Sequence, residues 1–158
     1  MSNIKNNFSV ILIFIPALFF TSCSSLNGPL FKPVVEIPPD ESVVYIYRMN
    51  DVEKKAFVIE YNDKEICILE NGGYFPFFVK KGKVKLTSSI DYNFFTSGLV
   101  DLAAGKKDFV FEADAGKSYY VKCHTTGAVA QEISIQIVPE NFGSKNIKEC
   151  RLLEPVTE

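Results

Sequence analysis

Short runs of β-branched and aromatic residues, separated by turn-forming residues, recur through residues 42–138 and limit what the chain can fold into. Residues 43–48 (VVYIYR) place even-numbered side chains, including Arg48, on one face of a strand and odd-numbered ones on the other. Glu132–Val138 (EISIQIV) alternates in the same way. Runs of this length at eight- to twelve-residue spacing are typical of an antiparallel, immunoglobulin-like β-sandwich. Strands do not alternate with helices, so no parallel sheet is predicted.

Turn residues divide the sequence into predicted hairpins. Asn62-Asp63-Lys64 separates residues 55–61 from residues 65–70, and Ala115-Gly116 separates residues 108–112 from residues 118–124. Each pair predicts a hairpin. The other predicted strands cover residues 74–80, 84–89 and 92–96.

Two prolines mark changes in this pattern. Pro76 cannot donate a backbone hydrogen bond, so it predicts an edge or a bulge in the strand of residues 74–80. Pro139 begins a stretch with helical spacing that runs to Leu153, interrupted by Gly143. We therefore predict one β-sandwich domain over residues 42–158, ending in a short C-terminal helix.

The first 22 residues have the pattern of a secretory signal peptide. Lys5 is the only charge before Lys32, and residues 10–20 form an uncharged apolar run. This run is shorter than the roughly 20 residues that a transmembrane helix needs, and Pro16 interrupts it.

Residues 20–23 (FTSC) resemble the lipobox of bacterial lipoproteins, although Phe20 stands where leucine is usual. The resemblance implies that Cys23 is lipidated, becomes the mature N-terminus and holds the protein on a membrane. Ser24 is not the acidic residue that retains some lipoproteins in the inner membrane, which points to the outer membrane. The alternative is an ordinary signal peptide in which Cys23 has no role.

Residues 23–41 carry four of the eight prolines and predict an extended tether between the lipid and the domain. The tether also contains apolar residues, which a solvated spacer would not need. Part of it is therefore expected to pack along the domain edge.

Composition excludes several classes of protein. The 136 residues from Cys23 onward have a net charge of −3 and suffice for one domain with a core. Nucleic-acid binding is not expected, because it requires a concentrated basic patch. The cysteine spacing does not fit a zinc site, and no metal or other cofactor is predicted.

Three cysteines remain beside Cys23, so at most one intramolecular disulfide can form. Cys123 and Cys150 are the expected pair, because a bond between them would tie the C-terminal segment to a strand. The alternative is that Cys67, Cys123 and Cys150 are all reduced core residues.

Several short motifs, taken in order, resemble a family of uncharacterised envelope lipoproteins with small β-sandwich domains similar to PEGA domains. The resemblance covers residues 42–140 and implies the same fold, but it supplies no catalytic residues. The motifs are residues 44–48 (VYIYR), 62–63 (ND), 73–75 (GYF), 81–82 (KG) and 116–121 (GKSYYV).

Candidate sites are few. His124 adjoins Cys123, but neighbouring strand residues point to opposite faces, so we predict no catalytic pair. Four tyrosines could form a stacking surface for sugars or peptides, or could instead be aromatic core residues. These tyrosines are Tyr45, Tyr47, Tyr119 and Tyr120.

Two functions are compatible with the sequence. The first is a lipid-anchored, non-enzymatic module that binds or scaffolds a protein or polymer of the bacterial envelope. The second is an envelope hydrolase that uses carboxylates such as Asp91 or Asp101.

Overall fold

The computed structural model describes residues 26–52, 55–90, 105–126 and 132–156, which form two packed β-sheets with a short C-terminal helix. The five-stranded sheet has the order β8-β7-β1-β4-β9, and the four-stranded sheet has the order β3-β2-β5-β6. The strands are β1 (Glu41–Tyr47), β2 (Phe57–Tyr61), β3 (Lys64–Leu69), β4 (Gly73–Lys80), β5 (Gly82–Ile90), β6 (Lys107–Ala113), β7 (Ser118–Thr126), β8 (Glu132–Val138) and β9 (Arg151–Leu152). The predicted all-β sandwich is confirmed. The five-stranded sheet is nevertheless mixed, because β1 pairs in parallel with β7 and β4 in parallel with β9.

β1 is buried on both faces, as its uninterrupted apolar sequence requires. Val44 and Ile46 point into the main core between the two sheets. Tyr45 and Tyr47 point away from it, into a second core on the outer side of the five-stranded sheet. The alternation predicted for this strand is therefore confirmed, and both of its faces are covered.

Turns of two kinds connect the strands. Asn62 and Asp63 both have positive φ angles, 51° and 60°, and form the tight turn of the predicted β2–β3 hairpin. Lys81 alone separates β4 from β5 and carries the chain from one sheet to the other. Gly82 follows with a φ of 125°, a conformation that favours glycine.

The predicted hairpin around Ala115-Gly116 is wrong. β6 lies in the four-stranded sheet and β7 in the five-stranded sheet. The rings of Phe111 and Tyr119 meet in the interior with centroids 5.1 Å apart, so the two strands face each other across the core. The amide of Gly116 donates to the carbonyl of Glu41 at 2.7 Å, which directs β7 to a position beside β1.

Pro76 lies at an edge, as predicted. β4 pairs with β1 along its whole length, but β9 covers only Gly73 and Tyr74 on its other side. Within the described residues, Pro76 therefore has a ladder partner on one side of β4 only.

A third layer covers the outer side of the five-stranded sheet. Helix α1 (Glu140–Asn146) and a 3₁₀ turn (Ile147–Glu149) pack there, and Ile147 and Cys150 are buried. Gly143 lies so close to Tyr120 that a β-carbon at this position would overlap the tyrosine side chain.

Residues 26–37, which we call the strap, complete this layer. Phe31, Val34 and Ile37 pack on the second core. The amide of Phe31 donates to the carbonyl of Cys150 at 3.1 Å, and that of Leu152 donates to Pro29 at 2.9 Å. The expectation that part of the tether packs on the domain therefore holds for the strap, although it lies over a sheet face as well as at an edge.

The strands run between two opposite ends of the sandwich. At the first end, β1 leads into β2, and β3 leads into β4. We call it the Val52 end, after the residue exposed in the β1–β2 connection. At the opposite end, the Lys81 end, β4 passes to β5 and β6 to β7.

Candidate functional site

Three of the four candidate tyrosines lie together on the outer side of the five-stranded sheet. Tyr45 and Tyr120 have ring centroids 5.2 Å apart, and Phe31 of the strap meets Tyr45 edge-on at 5.1 Å. The hydroxyl of Tyr45 accepts a hydrogen bond from the amide of Val34 at 2.7 Å. Burial raises the pKa of Tyr45, Tyr47 and Tyr120 above the usual tyrosine value.

This arrangement corrects the prediction of a tyrosine binding surface. Tyr45, Tyr47 and Tyr120 are at most 5% exposed, so their ring faces are covered by protein. Tyr119 points to the opposite side of the sheet, where its hydroxyl accepts from the amide of Asp114 at 2.8 Å. The alternation of strand side chains separates Tyr119 from Tyr120, and the strap and α1 cover the other three.

The cysteine prediction is also corrected. Cys67, Cys123 and Cys150 are free and buried, so the expected Cys123–Cys150 disulfide is not formed. Cys123 belongs to the main core and Cys150 to the second core, which places the five-stranded sheet between them. Burial raises the pKa of Cys67 to about 12 and that of Cys150 to about 11, and it also raises the pKa of Cys123. These thiols are therefore protonated near neutral pH and poorly nucleophilic.

His124 does not act with its neighbour. Cys123 points into the main core, and the Nδ1 atom of His124 is buried with no hydrogen-bond partner among the described residues. Burial and the nearby charge of Lys122 lower the pKa of His124, while Asp51 partly opposes this effect. The two side chains diverge, as the strand geometry predicts.

The most unusual described group is the Arg48 side chain, which is fully buried at the Val52 end. Its guanidinium group lies over the ring of Phe57, with Cζ 4.6 Å from the centroid. Nη2 is 3.1 Å from Oδ1 of Asp51, and Nη1 donates to the carbonyl oxygen of Lys55. A buried guanidinium needs such partners, because removing its charge from water is costly.

Arg48 therefore fastens the β1–β2 connection to the core. Asn71 holds the same connection from the β3–β4 turn, because its Oδ1 accepts from the amide of Asp51 at 3.0 Å. Its Nδ2 donates to the Asp51 carbonyl at 2.7 Å and to Oδ1 of Asn50 at 3.1 Å. The strand alternation predicts that Arg48 shares a face with Val44 and Ile46, but the sequence does not predict this network. A lone arginine ending an apolar run, followed three residues later by an aspartate, was the available signal.

Two further surfaces of the described domain are open to solvent. A groove of about 620 Å³ lies between residues 26–28, β3 and residues 152–156. The outer face of the four-stranded sheet is exposed, with Val110 on the edge strand β6 and ion pairs beside it. Lys85 pairs with Asp63 at 3.4 Å and with Asp108 at 3.5 Å.

An ion pair and a hydrogen bond hold the Asp108 carboxyl group on this exposed face. Thr87 donates a hydrogen bond to Asp108 at 2.8 Å, and this bond, together with Lys85, lowers the pKa of the Asp108 carboxyl group. The carboxylate is therefore ionised near neutral pH and cannot serve as a general acid. Exposed ion pairs of this kind add little to stability.

Other residues of interest lie outside the described part of the chain. These are Cys23, Asp91 and Asp101, together with the predicted strand at residues 92–96. Within the described residues, no three His, Cys, Asp or Glu side chains are grouped to hold a metal ion. None of the helices in the described ranges has the length and apolar character needed to cross a bilayer. Comparisons with protein families, curated proteins and solved structures found no match for this chain.

Proposed function

We propose that the protein is a lipid-anchored bacterial envelope protein, held by Cys23 and acting without catalysis as a binding or scaffolding module. The signal-like residues 1–22 and the lipobox-like residues 20–23 support the anchor. The observation that carries the proposal is the packing of the strap. Leu26, three residues after Cys23 in the sequence, packs against the main core. A lipid on Cys23 would thus hold the domain close to the membrane, most simply the outer membrane.

The exposed face of the four-stranded sheet is the best candidate for the binding surface. The strap and α1 pack on the outer side of the five-stranded sheet, although Phe78 on β4 is still 42% exposed, and on the four-stranded sheet Val110 is 46% exposed beside ion pairs. Charged side chains of both signs lie beside Val110, a composition that suits a protein or envelope-polymer partner.

Substitution of Cys23 tests the anchor. In cells labelled with radioactive palmitate, the wild-type chain should incorporate label, and Cys23→Ala should incorporate none and keep residues 1–22. Labelling of Cys23→Ala, or release of a normally processed domain from this variant, would contradict the proposal. Cys67→Ala is the matched control and should be labelled like the wild type.

The binding surface is tested in detergent extracts of the envelope. A partner that copurifies with the wild type should be lost from Val110→Asp and retained by Val35→Asp. Val35 is fully exposed on the strap, so it controls for a new surface charge. Equal retention by both variants would exclude this sheet face as the binding surface.

A further inference from the structure

We propose that the Val52 end of the sandwich rests on the lipid bilayer and that the strands stand upright on the membrane. This inference rests on the proposed lipid anchor at Cys23. It adds which surface of the domain contacts the membrane and which surfaces stay free.

The position of Leu26 determines the orientation. Leu26 packs beside Gly72, in the β3–β4 turn at the Val52 end. The strap that follows is fixed there by a 3.0 Å hydrogen bond from Nη1 of Arg151 to the carbonyl of Gly28. Three residues span at most about 10 Å, so a lipid on Cys23 cannot lie farther than this from Leu26. The anchor therefore brings the Val52 end to the membrane surface.

Val52, the exposed apolar residue at this end, can contact the membrane surface. Val52 is fully exposed in the β1–β2 connection. The bonds of Arg48 and Asn71 to Asp51 hold the connection in place. Val52 thus directly follows a residue that is held in place, on the same end of the sandwich as Leu26.

Charge does not distinguish the two ends, because the Val52 end carries exposed Asp51 and Glu70 and the opposite end is charged as well. The turns of the opposite end carry Asp40, Lys81, Asp114 and Lys117, and the last two form an ion pair at 2.8 Å. β5 has nine residues, which at about 3.3 Å each span roughly 30 Å. The upright arrangement therefore keeps the Lys81 end in water and leaves the exposed face of the four-stranded sheet open to a partner.

The orientation can be measured with a fluorescent label. The three described native cysteines are buried, so a single introduced cysteine is the reactive thiol of the folded, lipidated protein. Val52→Cys, Val35→Cys and Lys81→Cys would each be labelled with an environment-sensitive nitrobenzoxadiazole dye. The full lipidated chain is then reconstituted in vesicles of phosphatidylethanolamine and phosphatidylglycerol that contain nitroxide-labelled lipid. Val35 is the matched control, because it is an equally exposed valine on the strap, toward the Lys81 end.

We expect the dye at position 52 to shift to shorter wavelength and to be quenched several-fold more strongly than the dye at 35 or 81. Equal quenching at all three positions, or stronger quenching at 35 or 81, would overturn the orientation. Flotation of each sample with the vesicles is recorded first. Protein that floats without preferential quenching at 52 overturns the orientation alone, whereas protein that carries no lipid and does not float overturns the anchor together with it.

Discussion

Replacing Arg48 by methionine removes the buried charge while keeping an unbranched side chain that can still pack on Phe57. The wild-type guanidinium group interacts with the Phe57 ring, the Asp51 carboxylate and the Lys55 carbonyl, among others. A desolvated cation–π contact contributes about 2 kcal/mol, and a carbonyl that loses its donor costs roughly 1–3 kcal/mol. Against these losses, methionine avoids the several kcal/mol that burial of an arginine charge costs.

Losing the ion pair should cost only a moderate free energy of unfolding, because the Asp51 side chain is 35% exposed and water can reach it. We therefore expect Arg48→Met to lower the free energy of unfolding by about 2 kcal/mol, less than the 3–5 kcal/mol typical of breaking a fully buried pair. Arg48→Ala also leaves a cavity, so its cost should rise to about 4 kcal/mol.

Urea unfolding under reducing conditions, followed by circular dichroism, measures these differences. With a slope of about 2 kcal/mol per molar urea, Arg48→Met should shift the midpoint down by about 1 M. Lys83→Met is the matched control, since Lys83 is exposed, and its effect should stay within about 0.5 kcal/mol. A midpoint for Arg48→Met equal to or above that of the wild type would refute the claim that the charge network stabilises the Val52 end.

Three other outcomes follow from the packing. Gly143→Ala should destabilise the domain by about 1–3 kcal/mol, because its β-carbon would overlap Tyr120, whereas Gly105→Ala meets open space and should be nearly neutral in the same urea assay. The three described cysteines should resist alkylation at pH 8 in the folded protein and react in urea, as counted by mass spectrometry; rapid alkylation without urea would contradict their burial. The pKa of His124 is lowered on folding, so the unfolded state takes up the proton first and stability should fall as the pH drops through about 6.5. His124→Gln should lose this part of the pH dependence, and an unchanged pH profile would exclude His124 as its source.

The strands could be predicted from the sequence because their signals are local. The alternation in β1 and the Asn62-Asp63 turn each depend on neighbouring residues, and the structure contains both as predicted. The β6–β7 connection was predicted wrongly for the same reason. A turn signal at Gly116 does not predict whether the flanking strands pair with each other or enter different sheets. Here contacts with β1 place β7 in the five-stranded sheet.

The candidate site was less predictable, because it depends on which surfaces are covered. Tyr45 and Tyr120 have the composition of a binding surface, and only the packing of the strap and α1 over them shows that they form a core. The prolines of the strap suggested a solvated tether, although its apolar residues indicated partial packing. The Arg48 network joins residues from the β1–β2 connection and the β3–β4 turn. Sequence patterns do not predict contacts between residues so far apart in the chain.

The most direct test of the account is the intact mass of the mature protein purified from detergent-extracted envelope. The lipid-anchored account predicts a chain that begins at Cys23, with the mass of residues 23–158 increased by a diacylglyceryl group and usually one further acyl chain. Release of the added mass with a fragment that contains Cys23 would locate the modification. A chain that retains residues 1–22, or one that begins elsewhere and carries no lipid, would contradict the anchor and the membrane orientation derived from it.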